Sequence, residues 1–160
     1  MRRTFAVLVE NRPGVLSKVA GLFARRGFNI ESLVVSETQD STVSSMTIVA
    51  EGDERTLEQV GKQLNKQVDV IKVNDITDEE TVERQLCLIR VTTEDFNARQ
   101  EVIQITEVFR GHIANIDRKS LIIEATGDES KIQAIIRALK PFGVTELVRT
   151  GKVAMLRGAQ

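Results

Sequence analysis

The chain has 160 residues, 41 % hydrophobic and 28 % charged, with 22 Lys and Arg against 23 Asp and Glu. That length suits one medium domain or two small globular ones, and the balanced charge leaves neither a basic field for nucleic-acid phosphates nor an acidic tail. Cys87 is the only cysteine, so an internal disulfide is excluded and a reducing cytoplasm fits; no apolar run is long enough for a signal peptide or a membrane span.

A first strand is expected at 4–9. Glu10-Asn11-Arg12-Pro13-Gly14-Val15 then leads into a helix at 14–26, with Leu16, Val19, Ala20 and Phe23 on one face. Pro13 suits the first helical position, where its missing N–H costs nothing, and Gly27 suits a left-handed stop. Strands follow at 29–37 and 42–50, then a helix at 54–65 capped by Asp53, with Glu54 at its positive end, then a strand at 68–74. Thr77-Asp78-Glu79-Glu80-Thr81 reads as a polar linker. Beyond it come a strand at 85–92, a helix at 99–110, strands at 113–117 and 121–126, a helix at 129–139 capped by Asp128, and a strand at 144–149. Arg149, Lys152 and Arg157 fall in an expected solvated tail.

The second half repeats the first. The face Leu16, Val19, Ala20, Phe23 returns 86 positions on as Val102, Ile105, Thr106, Phe109, and Asn29-Ile30 returns as Asn115-Ile116. Gly52-Asp53-Glu54 returns 75 positions on as Gly127-Asp128-Glu129, and Leu57, Val60, Gly61, Leu64 as Ile132, Ile135, Ile136, Leu139. The shorter shift means that the second copy lacks about 11 residues, most simply from the hairpin at 37–45. Each copy reads strand-helix-strand-strand-helix-strand. The expected fold is therefore α+β, two tandem ferredoxin-like βαββαβ sandwiches, with domains at 1–76 and 84–160 and a linker at 77–83. Each sheet leaves one face and its edges to be covered or paired.

The Pro-Gly junction has two readings. Asn-x-Pro-Gly is an ordinary turn and helix start, and Gly14 can serve packing alone. The N–H groups of Gly14, Val15 and Leu16 can also face an anion at the positive helix end, a preference of about 0.3–2 kcal/mol. Asn11 adds an acceptor for an ammonium, and Val15, Leu16 and Ile30 supply apolar neighbours. Together these fit a small aliphatic amino acid. In the second copy the matching positions are Arg99, Gln100 and Glu101, preceded by Glu94 and Asp95, whose acidic side chains fill the helix start and repel a carboxylate. The scaffold is duplicated, and the anion site is expected in the first copy alone.

ENRPGVLSKVAGLFARRGFNIESL resembles the ACT-domain signature of the small regulatory subunit of acetolactate synthase (acetohydroxyacid synthase). MTIVAEGDERTLEQVGKQLNKQVDVIKV and TEVFRGHIANI resemble the same family, over nearly the whole chain. The resemblance implies an ACT domain followed by an ACT-like domain, in a cytoplasmic, non-catalytic subunit of branched-chain amino acid biosynthesis. It implies no cofactor in this chain, with thiamine diphosphate, magnesium and FAD in a separate large catalytic subunit that this chain activates and makes sensitive to valine. It also implies a homodimer through the ACT domains, with Asn11, Gly14, Val15 and Leu16 of one protomer meeting Asn29 and Ile30 of the other around the effector.

The remaining residues point to no other chemistry. His112 is the only histidine and has no second ligand at metal-binding spacing. Cys87 sits in an apolar strand, the phenylalanines fall on expected core faces, and Ser17 has no triad partners. An RNA-binding module shares the βαββαβ order but needs exposed aromatics on its central strands, and Val43-Ser44-Ser45-Met46-Thr47-Ile48 has none. A transcription regulator would need a separate DNA-reading element. A stand-alone enzyme would need an acid–base pair, metal cluster or phosphate loop. The alternative that stays open is a stand-alone ACT-type amino acid sensor acting on another enzyme or on transcription.

Overall fold

The computed structural model describes residues 1–158; Ala159 and Gln160, at the end of the second expected domain, lie outside the described residues. The first copy runs β1 (Arg2–Glu10), α1 (Val15–Arg25), β2 (Asn29–Glu37), β3 (Val43–Glu51), α2 (Glu54–Asn65), β4 (Val70–Asp75). The second runs β5 (Thr81–Thr92), α3 (Phe96–Val108), β6 (His112–Ile116), β7 (Ser120–Gly127), α4 (Glu129–Leu139), a 3-10 turn (Lys140–Phe142), β8 (Val144–Arg149), and a last strand, β9 (Val153–Leu156), follows. The strand orders are β2-β3-β1-β4 and β6-β7-β5-β8, antiparallel, which is the ferredoxin-like sandwich expected twice over. Two compact units result: Met1–Val82 with the segment from Val153 onward, and Glu83–Lys152. No helix among the described residues is long and apolar enough to cross a membrane.

Alternation along each central strand builds the cores. Phe5, Val7 and Val9 of β1 face α1 and α2, where they meet Val19, Phe23, Leu57 and Leu64. Phe23 stands edge-on to Phe5 and to Phe28, ring centres 6.4 Å apart in each pair. In the second unit Cys87, Ile89 and Val91 of β5 pack with Val102, Leu121, Ile132 and Leu139. Burial pushes the Cys87 thiol pKa up, against the pull of Arg149, so the sulfur is a packed apolar group.

Several boundaries move. The buried face of α1 is Val15, Val19, Leu22 and Phe23, while Leu16 is 44 % exposed, because the helix begins at Val15 and its apolar stripe runs i, i+4, i+7, i+8. Asp53 and Asp128 do cap α2 and α4, accepting from the Thr56 and Lys131 N–H at 3.0 and 2.9 Å. Gly27, at φ 73°, does end the first helical segment. Residues 81–83 of the expected linker are strand, and the turn between the copies is confined to 77–80. The expected solvated tail is instead anchored. Lys152 pairs with Glu83 at 3.2 Å, Val153–Leu156 is a strand, and the Arg157 N–H donates to the Glu80 carbonyl at 3.0 Å. Four residues of Val-Ala-Met-Leu carry too little periodicity to read as a strand. Phe96, expected in a core, is 74 % exposed at the start of α3.

Asp75 closes the end of β4. Its partial burial raises the carboxyl pKa, but the Thr77 hydroxyl and N–H and the Arg3 guanidinium, 2.6 Å away, outweigh that and hold it below the ordinary value. A lowered folded pKa stabilises the fold above the unfolded carboxyl pKa of about 4 and loses that contribution as pH falls through the folded value. Thermal midpoints should therefore fall more steeply below about pH 4 in the wild type than in Asp75→Asn, which starts lower at neutral pH. Parallel curves would remove Asp75 from the acid transition.

Candidate functional site

The site begins where β1 ends. Glu10 pairs with Val43, and the Asn11 N–H donates to the Thr42 carbonyl at 2.8 Å. The Asn11 side-chain amide donates to the Ser41 carbonyl at 2.9 Å and to a Glu37 carboxylate oxygen at 3.3 Å. Asn11 therefore ties the β1–α1 loop to the β2–β3 hairpin with its NH2 group, and its carbonyl oxygen keeps its acceptor capacity. The hairpin turn is closed by its own side chains. Asp40 accepts from the Thr42 hydroxyl and N–H, at 2.7 and 2.9 Å, and these bonds lower its carboxyl pKa.

The Pro-Gly question resolves into a turn that also shapes a helix start. Gly14 has φ 85° and ψ −9°, the third position of a type II turn, and the Val15 N–H returns to the Arg12 carbonyl at 3.4 Å. Pro13 thus occupies the second turn position, ahead of the helix rather than at its first residue, because a left-handed Gly14 has to intervene. Gly14 is the N-cap and makes no side-chain cap. Of the three amides expected to face a ligand, that of Val15 is closed in the turn. Those of Gly14 and Leu16 meet no acceptor among the described residues. Open space surrounds the position where a Gly14 side chain would begin.

The side chains divide the same way. Val15 is 3 % exposed and belongs to the core, so only its backbone reaches the loop. Leu16 stands outward beside Gly14. Asn29 and Ile30 lie at the other end of the sheet: Asn29 pairs with Glu51, which pairs with Arg2, while Asn11 follows Glu10. Eight residues of β1 separate the two ends, roughly 26 Å at about 3.3 Å per residue. Asn29 is exposed and Ile30 packs partly on the core. Within one chain, then, the structure brings Asn11, Gly14, Val15 and Leu16 together and holds Asn29 and Ile30 apart from them. Glu37 and Ser41, which fix Asn11, are not among the residues the sequence points to. They lie 26 and 30 positions from Asn11, and no local spacing announces them.

The second copy closes the equivalent end. α3 starts at Phe96, three residues before the expected Arg99, and Asp95 caps it by accepting the Ala98 N–H at 2.8 Å. Arg99 reaches the Asp117 and Arg118 carbonyls and the Thr93 hydroxyl, pinning the β6–β7 turn against the helix. A capping carboxylate and a clamping guanidinium fill the place that Gly14 leaves open in the first copy.

Comparison with known proteins agrees with both halves. Residues 84–158 match the family described as the small subunit of acetolactate synthase, and residues 5–72 match the AHAS small subunit-like ACT domain. The probable acetolactate synthase small subunit of Archaeoglobus fulgidus is 56 % identical over 158 residues, covering 99 % of this chain and 98 % of that one. The acetolactate synthase small subunit of Aquifex aeolicus is 49 % identical over 98 % of this chain and 81 % of its own. The crystal structure of the acetolactate synthase small subunit from Thermotoga maritima superposes with a TM-score of 0.87 at 43 % identity, covering 100 % of this chain and 99 % of that one. With a βαββαβ sandwich in each half and both halves matched, the chain belongs to the acetolactate synthase small-subunit family.

Proposed function

We propose that this chain is a non-catalytic regulatory subunit that binds valine and transmits its presence to a separate acetolactate synthase catalytic subunit in the cytoplasm. The carrying observation is the uncapped start of α1 beside an unpaired edge strand. β2 is the outer strand of its sheet, and the β1–α1 loop is tied to the far end of that same strand through Asn11 and Glu37. Two copies pairing β2 to β2 antiparallel about a two-fold axis would set the partner's Asn29 opposite the Glu37 end, and so beside Asn11 and Gly14. The outward face of α1 carries Ser17, Gly21 and Ala24, small enough for a second helix to come close. The Gly14 and Leu16 amides would take the valine carboxylate, the Asn11 carbonyl the ammonium, and Leu16 with the partner's Ile30 the isopropyl group.

Thiamine diphosphate, magnesium and FAD are assigned to the catalytic subunit, and this chain supplies no group to the reaction. Valine inhibits only by binding the inhibited assembly more tightly, and a coupling of about 1–3 kcal/mol suffices. Calorimetric titration of the purified dimer is expected to show one valine per chain, with leucine and isoleucine roughly tenfold weaker, since one methylene is worth about 1–3 kcal/mol. Serine should give no heat. With the catalytic subunit added, acetolactate formation should rise and then fall as valine is titrated in. Equal heats for valine and serine, or none for valine, would overturn the assignment.

A further inference from the structure

The helix-free face of the first sheet carries a groove that the effector site does not use. Ala6 and Leu8 alternate with the core residues of β1 and therefore point away from the helices. Register places Asn74 and Lys72 of β4 beside them on one side, and Thr47 and Ser45 of β3 on the other. The segment from Val153, which belongs to the same compact unit, lies alongside with Ala154, Met155 and Leu156 lining the groove, and Glu37, Thr38 and Gln39 close one end. The groove is open to solvent along one side and holds about 660 Å³, within the range that takes small ligands.

Its aliphatic walls lie between a cation on one edge strand and a carboxylate on the other. Ala6, Leu8, Ile76, Met155 and Leu156 give aliphatic walls. The Glu37 carboxylate accepts from the neutral Asn11 amide and keeps its charge, but it stands on β2, the edge strand opposite the one that carries Lys72. Lys72 is the groove's one cation, and its ammonium has no hydrogen-bond or ion-pair partner among the described residues. Met155 is 75 % exposed, an unbranched, adaptable side chain left over the opening. An aliphatic trough with an exposed, unpaired cation at its β4 rim is complementary to a molecule with an apolar body and a single acidic end. We propose that this groove is a second small-molecule site, binding a medium-chain aliphatic carboxylate with its tail along Ala6, Leu8 and Met155 and its head group at Lys72. The charge complementarity at Lys72 sets this occupant apart from an apolar peptide.

The chain has three methionines, Met1, Met46 and Met155, and no Trp or Tyr, so methyl-labelled methionine is a sparse internal probe. Titrating the labelled full-length dimer with decanoate, below its micellar range, is expected to shift the Met155 methyl saturably while the buried Met46 methyl stays still. Lys72→Glu should weaken decanoate at least tenfold, Lys72→Gln should weaken it less, and uncharged decanol should bind wild type at least tenfold more weakly than decanoate. Gly14→Asp should leave the decanoate curve unchanged, which separates this site from the effector site. A Met155 signal unmoved by millimolar decanoate, or the same affinity in Lys72→Glu, overturns the proposal. So does a shift lost in Gly14→Asp alone, or one produced by the catalytic subunit and never by decanoate, the mark of a groove covered by protein.

Discussion

Gly14→Asp is expected to weaken valine binding by at least a hundredfold, and Gly14→Asn by far less. Both substitutions put a side chain on a left-handed residue, φ 85°, which Asn and Asp tolerate better than other non-glycine residues. Both have open space for the first carbon, so the strain is shared and the fold survives in each. The difference between them is one negative charge. Neither side chain becomes a good cap, because the usual N-cap is extended and this one is left-handed. The aspartate carboxylate would therefore stand where the effector carboxylate has to sit. Two like charges about 4 Å apart at an effective dielectric of about 20 repel by roughly 4 kcal/mol, equivalent to nearly a thousandfold in affinity, and partial solvent screening reduces that toward a hundredfold. Calorimetry gives the affinities and an inhibition curve on the assembled enzyme gives the consequence. Equal losses in the two variants would mean that backbone conformation, not charge, is what the site requires.

The contrast between the two copies shows which features the local sequence encodes. The bounds of α2 and α4 are as expected, because each has an aspartate cap, an acidic first turn and a clear apolar stripe in one local stretch. α3 starts three residues before the repeat predicts, because the apolar face shared with α1 sits on a helix that is longer at its N-terminal end. Asp95 marked the true start, three residues ahead of Ala98. The 86-to-75 change of shift does correspond to a shorter hairpin: β6 and β7 end within His112–Gly127, where β2 and β3 run over Asn29–Glu51, and the loss is spread over strands and turn together.

At the site, local rules and long-range contacts part company. That Gly14 takes a special conformation follows from Pro-Gly alone, and the type II turn is its consequence. Whether Val15 presents a side chain or only a backbone depends on the rotation of α1, set by where the helix begins, and the repeat placed that face one residue too far along. The role of Asn11 depends on Glu37 and Ser41 across the sheet, a tertiary placement that spacing does not encode. The distance from Asn29 to Asn11 is likewise a matter of topology: a nine-residue strand in this sheet keeps its two ends apart.

That separation makes a mixed dimer the most demanding test of the shared site. Asn11→Ala removes the acceptor of the valine ammonium, and Asn29→Ala removes the polar side chain that the partner sets beside it on the same charged ligand, each a loss of about 1.5–3 kcal/mol, or roughly 10- to 150-fold. In a homodimer of either variant both sites carry one lesion, so both are weakened. In a heterodimer with one variant on each chain, a two-fold interface site combines the lesions. One site has Ala at both positions, and the other has Asn11 from one chain and Asn29 from its partner, fully intact. The expected titration is therefore one valine per dimer at wild-type affinity, half the wild-type stoichiometry, with the second site silent. If each chain instead built its site alone, the heterodimer would hold two damaged sites and no tight binding. Differently tagged chains, co-purified and titrated beside both homodimers, separate these outcomes by stoichiometry, which is insensitive to the exact cost of either substitution. A heterodimer with only weakened binding would end the edge-to-edge geometry, because antiparallel β2 pairing leaves the intact site no way to be lost.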